Sequence, residues 1–170
     1  MPVLSVCRSR RAAALLTLAG LATGVPASAA HADSSAGRAP ISGSTAVARA
    51  KVWVDRGVGY SQSSTYQGYR MDCSGYVSMA WGLTKPGYTT YTMPSIGRYI
   101  SKSDLRRGDA MLNSSFHVLL FDKWANSAKT YYWAYEESSS RGGAVYRQIP
   151  YPYWSGYGTF KPFRYKNMTS

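Results

Sequence analysis

The segment Ala110-Met111-Leu112-Asn113-Ser114-Ser115-Phe116-His117-Val118-Leu119-Leu120-Phe121 decides the fold class. Two short apolar runs flank an Asn-Ser-Ser break, which is the spacing of two strands joined by a turn and too short for two helices. The pattern continues downstream. Predicted strands cover 110–113, 116–124, 130–137, 144–149 and 159–165, each β-branched or aromatic and separated by Asn, Ser, Gly or Pro. Upstream the period is helical. Tyr76, Val77, Ala80 and Trp81 predict a helix over 72–81 with Gly82 past its end. Val47, Ala50, Trp53 and Val54 predict another over 45–56, capped by Ser44 and stopped by Gly57. The segment 60–70 reads as a loop, and 85–103 as a loop with one short helical turn after Pro94. Helices first and strands afterwards predict an α+β domain, with N-terminal helices packed on a single antiparallel, meandering sheet of about five strands.

Composition sets the frame. The chain has 170 residues, 45% hydrophobic and 16% charged, with 20 Lys plus Arg against 8 Asp plus Glu, a net charge of +12. That is a folded chain of one domain. All 24 aromatic residues stand at or after Trp53. Residues 1–32 read as a secretory signal: Arg8, Arg10 and Arg11 form the basic start, 12–25 is a short apolar stretch, and small-x-small cleavage sites end at Ala29 and Ala32. Residues 33–45, rich in Ser, Gly and Ala, read as a flexible linker, and 46–170 as the domain. No later segment is long and apolar enough to span a membrane, so the expectation is a soluble, exported monomer. Cleavage after Ala32 removes three Arg and no acid, which leaves a net charge of +9. Such a protein is drawn to polyanions, anionic wall polymers among them. Without zinc-finger spacing or a long basic run, no specific nucleic-acid partner is expected.

Beyond residue 32, Cys73 is the only cysteine and His117 the only histidine. No intramolecular disulfide is possible, so Cys73 is a buried hydrophobe, a dimerising thiol or a reactive group. In Arg70-Met71-Asp72-Cys73-Ser74-Gly75-Tyr76-Val77 the thiol falls in the first turn of the predicted helix. There the helix dipole favours thiolate, and unpaired backbone N–H groups are positioned to stabilise an oxyanion. Gly75 lets another segment approach closely. His117 opens a core strand, as a structural histidine or as the base that a nucleophilic cysteine needs. An imidazole in that role needs an orienting partner, and Glu136 and Glu137 end the neighbouring strand. Alternation allows only one of them on His117's face: Glu136 is favoured and Glu137 is the alternative. One histidine, one cysteine and no ligand cluster predict neither metal nor cofactor.

These residues resemble a known family. Asp72-Cys73-Ser74-Gly75-Tyr76-Val77 is similar to the D-C-S-G-x-V motif of the NlpC/P60 cysteine peptidases, Asp104-Leu105-Arg106-Arg107-Gly108-Asp109-Ala110 to their d-L-x-x-G-D turn, and His117-Val118 to their H-V strand start. The resemblance runs in order over about residues 46 to 165. It implies a papain-like fold in a secreted thiol protease that hydrolyses amide bonds in peptidoglycan stem peptides, of the D,L-endopeptidase type. Cys73 matches the nucleophile and His117 the base. Tyr60 matches a tyrosine lining the site, and Asp72 and Ser74 match positions that help bind the stem's free amine. Three departures stand out. Ser61-Gln62-Ser63-Ser64 replaces a frequent Gly-Gly pair, Tyr135-Glu136-Glu137 stands where an H-A-P context is common, and no wall-binding repeat accompanies the domain.

Two other functions fit the same residues: an amidase or acyltransferase on the same scaffold, and a non-catalytic basic wall-binding module with an inert Cys73. The run Tyr151-Pro152-Tyr153-Trp154-Ser155-Gly156-Tyr157 reads as cover for a core edge, with a stacking platform for sugar rings as the other reading.

Overall fold

The computed structural model describes residues 39–169; the expected signal segment and the first part of the expected linker lie outside the described residues. The chain runs β1 (Ile41–Ser42), α1 (Gly43–Asp55), β2 (Thr65–Tyr66), β3 (Tyr69–Arg70), α2 (Cys73–Ala80), β4 (Gly97–Tyr99), β5 (Ala110–Asn113), β6 (His117–Trp124), β7 (Tyr131–Ser138), β8 (Gly143–Pro150), β9 (Lys161–Tyr165) and β10 (Met168–Thr169). The architecture is mixed, with two α-helices on a six-stranded antiparallel sheet of order β4-β9-β5-β6-β7-β8. Among the described residues no helix is long and apolar enough to cross a membrane.

The sheet departs from the expected five-stranded meander in two ways. A sixth strand, β4, lies in the stretch read as loop. It is three residues long and its partners, Phe163 to Tyr165 on β9, are more than 60 residues away, so no local alternation announces it. In addition, β9 returns to the far side of β5 instead of continuing beyond β8. The segment 60–70 also holds more order than expected: β2 and β3 form a hairpin about Gln67 (φ 53°) and Gly68 (φ 82°). The 3₁₀ turn Met93–Ile96 sits where one short helical turn was expected.

Helix α1 starts earlier than expected. Its cap is Ser42, whose side chain accepts a hydrogen bond from the Thr45 backbone N–H, and not Ser44. The ordered chain therefore reaches into the expected linker, where β1 pairs in parallel with β10 and Ile41 is buried. Trp53 is buried as expected, and Val54 packs at the margin of the core.

Strand alternation divides the core into two parts. Ala110, Leu112, Val118, Leu120 and Tyr135 face α1 and α2. Met111, Leu119, Phe121, Tyr132, Ala134 and Ile149 form the opposite face, covered by Phe160, Tyr151 and Tyr153 of the C-terminal aromatic run. Every residue of α2 is buried, so this helix is fixed by packing along its whole length. The Arg107-Gly108-Asp109 turn is latched to the end of this helix, where the Trp81 indole N–H donates to the Gly108 carbonyl at 2.8 Å, and to β9, where buried Asp109 accepts two hydrogen bonds from Arg164.

Candidate active site

Asp72 caps α2. Its Oδ1 accepts from the Gly75 backbone N–H at 2.7 Å, which holds the first turn and seats Cys73 at the first helical position. The N–H groups of Cys73 and Ser74 have no partner within the helix, because they belong to its first turn. A Cβ on Gly75 would stand 2.1 Å from the Arg70 carbonyl oxygen, so the close approach expected of this glycine is that of β3. Cys73 is a free thiol, 8% exposed, at the wall of a cavity of about 1020 Å³.

His117, the first residue of β6, lines the same cavity. Leu120 pairs with Tyr135, so Glu136 falls opposite residue 119 and on the same sheet face as His117. The consequence is a hydrogen bond of 2.9 Å between His117 Nε2 and Glu136 Oε1. Of the two carboxylates offered by the sequence, Glu136 meets the imidazole. Glu137 points to the helix side, fully buried, and neither of its oxygens has a hydrogen-bond partner.

Burial works against charge on His117, but hydrogen bonding and attraction from Cys73 and Glu136 outweigh it and raise its pKa to about 9. With Nε2 committed to Glu136, Nδ1 is the ring nitrogen left for Cys73. Burial likewise opposes charge on Glu136, yet hydrogen bonds from His117 and Arg147 hold its pKa down to about 2. The pair is thus carboxylate and imidazolium at neutral pH. For Glu137, burial with no compensating donor, helped by the nearby Asp72 charge, lifts the pKa to about 8.

Two supports of Glu136 were not found by sequence reasoning. Arg147 on β8 donates to both of its oxygens, through Nε at 2.8 Å and Nη2 at 3.1 Å, and the Tyr153 hydroxyl donates to Oε1 at 2.9 Å. The signal for Arg147 was a charged residue on the inward face of a predicted strand, in line with Val145 and Ile149. Tyr153 also stacks on Phe160, with ring centroids 4.2 Å apart. Tyr151 and Tyr153 cover the core edge, as the first reading of the aromatic run expects, whereas Trp154 and Tyr157 are exposed at the cavity rim.

Tyr60, Asp72 and Ser74 line the cavity wall beside Cys73. The Tyr60 hydroxyl accepts from Gln62 Nε2 at 2.7 Å, so Gln62, in the Ser-rich stretch that replaces the Gly-Gly pair, is itself a wall residue. Asp72 and Ser74 are bound to each other and to Arg70, a further residue that sequence reasoning missed. Its position two residues ahead of the Asp72 cap was the available signal. Among the described residues no cluster of three His, Cys, Asp or Glu side chains is placed to hold a metal ion. No protein-family model and no curated protein matches this sequence.

Proposed function

We propose that the protein is a secreted cysteine hydrolase of the NlpC/P60 type, with the papain-like arrangement that this implies, acting on amide bonds in peptidoglycan stem peptides. The observation that carries the reading is that Cys73, His117 and Glu136 share one cavity, with the imidazole oriented by a buried carboxylate at 2.9 Å. The D-C-S-G and G-D motifs around these positions, and a basic surface suited to anionic wall polymers, supply the substrate class.

In this reading the thiol proton rests on His117, which is imidazolium at neutral pH, and the Cys73 sulfur attacks the scissile carbonyl carbon. The backbone N–H groups at the start of α2 hold the oxyanion. The imidazolium then protonates the leaving amine as the C–N bond breaks, and water, deprotonated by His117, hydrolyses the thioester, which frees the Cys73 sulfur and leaves His117 protonated as at the start. Glu136 acts through His117: it fixes the Nε2–H tautomer and stabilises the imidazolium. Arg147 and Tyr153 keep Glu136 ionised and immobile.

The test is to incubate purified peptidoglycan with the protein and with its Cys73→Ala variant and to identify released fragments by mass spectrometry. Release by the unmodified protein alone is expected, with a new amino end on the diamino acid of the stem. A fragment ending at the muramic acid–alanine bond would assign the amidase activity instead. Fragments released equally by Cys73→Ala would remove the proposal.

A further inference from the structure

The carboxylates that face the cavity are Asp72 and Glu136, and each is already compensated. Glu136 is paired with Arg147 and with His117. Asp72 is paired with Arg70, a residue of β3 that turns its guanidinium behind the wall next to Cys73. Arg70 Nε donates to Asp72 Oδ2 at 2.8 Å, and Nη2 donates to Ser74 Oγ at 3.0 Å. The Gly87 carbonyl accepts from Nη1 at 3.0 Å and the Tyr88 carbonyl from Nη2 at 2.6 Å, so Arg70 is anchored on both sides and not free to swing away. Ser74 in turn donates to Asp72 Oδ1, and the Gly75 N–H fills that oxygen's second acceptor position.

A substrate ammonium needs uncompensated negative charge and acceptors for three N–H bonds. This wall offers a neutral Asp72–Arg70 pair, with one acceptor position left on Asp72 Oδ2 and one on Ser74 Oγ but no uncompensated negative charge. Across the cavity, Arg141 adds a positive charge with no carboxylate partner among the described residues. An uncharged amide N–H matches such a wall, because it asks for an acceptor and not for a counter-charge. The aromatic rim of Phe116, Trp154 and Tyr157 borders space beyond it for a bulky acyl group.

Resting on the hydrolase reading above, we infer that the site takes peptides whose amino end is acylated, as in a stem still joined to its glycan, and discriminates against the same peptides with a free amino terminus. Arg70 is the residue that sets this preference, because it occupies and neutralises the Asp72–Ser74 wall to which the family resemblance assigned the free amine.

The experiment compares kcat/KM of the full chain on two synthetic stem peptides that differ only in a free or an N-acetylated amino terminus, with products identified by mass spectrometry. The acetylated peptide is expected to be cleaved several-fold more efficiently than the free one, and equal cleavage or a preference for the free amine overturns the inference while leaving the hydrolase reading in place. Cleavage of neither peptide overturns both. In Arg70→Met, the ratio of free to acetylated kcat/KM is expected to rise about tenfold, the scale of one partly buried charge pair. That ratio is internal to each protein, so a lower yield of folded variant does not move it. An unchanged ratio removes Arg70 as the determinant.

Discussion

Adjacent residues of one strand carry carboxyl groups whose pKa values are shifted in opposite directions. Glu136 and Glu137 are both fully buried, but Glu136 faces His117, Arg147 and Tyr153 while Glu137 faces no donor. The difference follows from the two-residue period of a strand, which sends neighbours to opposite faces of the sheet. Glu136→Gln keeps the shape and loses the charge, leaving Arg147 buried without its counter-ion. Its kcat/KM is expected to fall on the order of 10- to 100-fold. The pH profile should move as well. In the proposed hydrolase the imidazolium that protonates the leaving amine persists up to about pH 9, so activity is expected to fall above that pH. Without the Glu136 charge, the alkaline limb shifts to lower pH. A limb that stays at the same pH in the variant would show that Glu136 does not act through His117.

At the scale of elements, α2 is the part on which the site depends. It is short and has no exposed face, so its axial position is set by what touches its first turn: the Asp72 cap and the passage of β3 against Gly75. Gly75→Ala would place a methyl group against backbone, which cannot yield as a flexible side chain does. The variant is expected to lose roughly 3 kcal/mol of stability, read as a lower denaturant midpoint, because overpacking a fixed contact costs energy on that scale. An unchanged midpoint would mean that α2 slides freely along β3. The contact also explains how Arg70 comes to lie behind the cavity wall: the strand that crosses Gly75 is the strand that carries it.

For the whole molecule, the buried titratable groups set a pH optimum of stability. Glu136 has a depressed folded pKa of about 2, so its contribution is present above 4.5 and is lost as pH falls through about 2. The folded pKa of His117 is raised, so its contribution is complete below 6.5 and is lost as pH rises through about 9. Glu137 binds its proton more tightly in the folded chain than in the unfolded one, so stability falls between pH 4.5 and about 8. The thermal midpoint is therefore expected to peak near pH 5 and to decline toward pH 9. Glu137→Gln should remove a part of that decline worth on the order of 3 kcal/mol by pH 8. If the decline is the same in Glu137→Gln, the carboxyl has the same pKa in the folded and the unfolded chain.

The α+β class, both helices and the strands β5 to β8 were legible from local pattern, since period, caps and turn residues act within a few positions of one another. Cys73, His117 and a choice between Glu136 and Glu137 were legible because the sequence beyond residue 32 holds so few residues able to do this chemistry. Tertiary structure decided what depends on distant partners: the β4–β9 pairing, the return of β9 beside β5, and the parallel β1–β10 contact. It also decided which glutamate meets the imidazole, and that Arg147, Tyr153 and Arg70 complete the charge balance of the cavity. Sequence names the groups that can ionise, but their charge and partners are set by burial and by donors arriving from other strands, and those exist only once the chain has closed on itself.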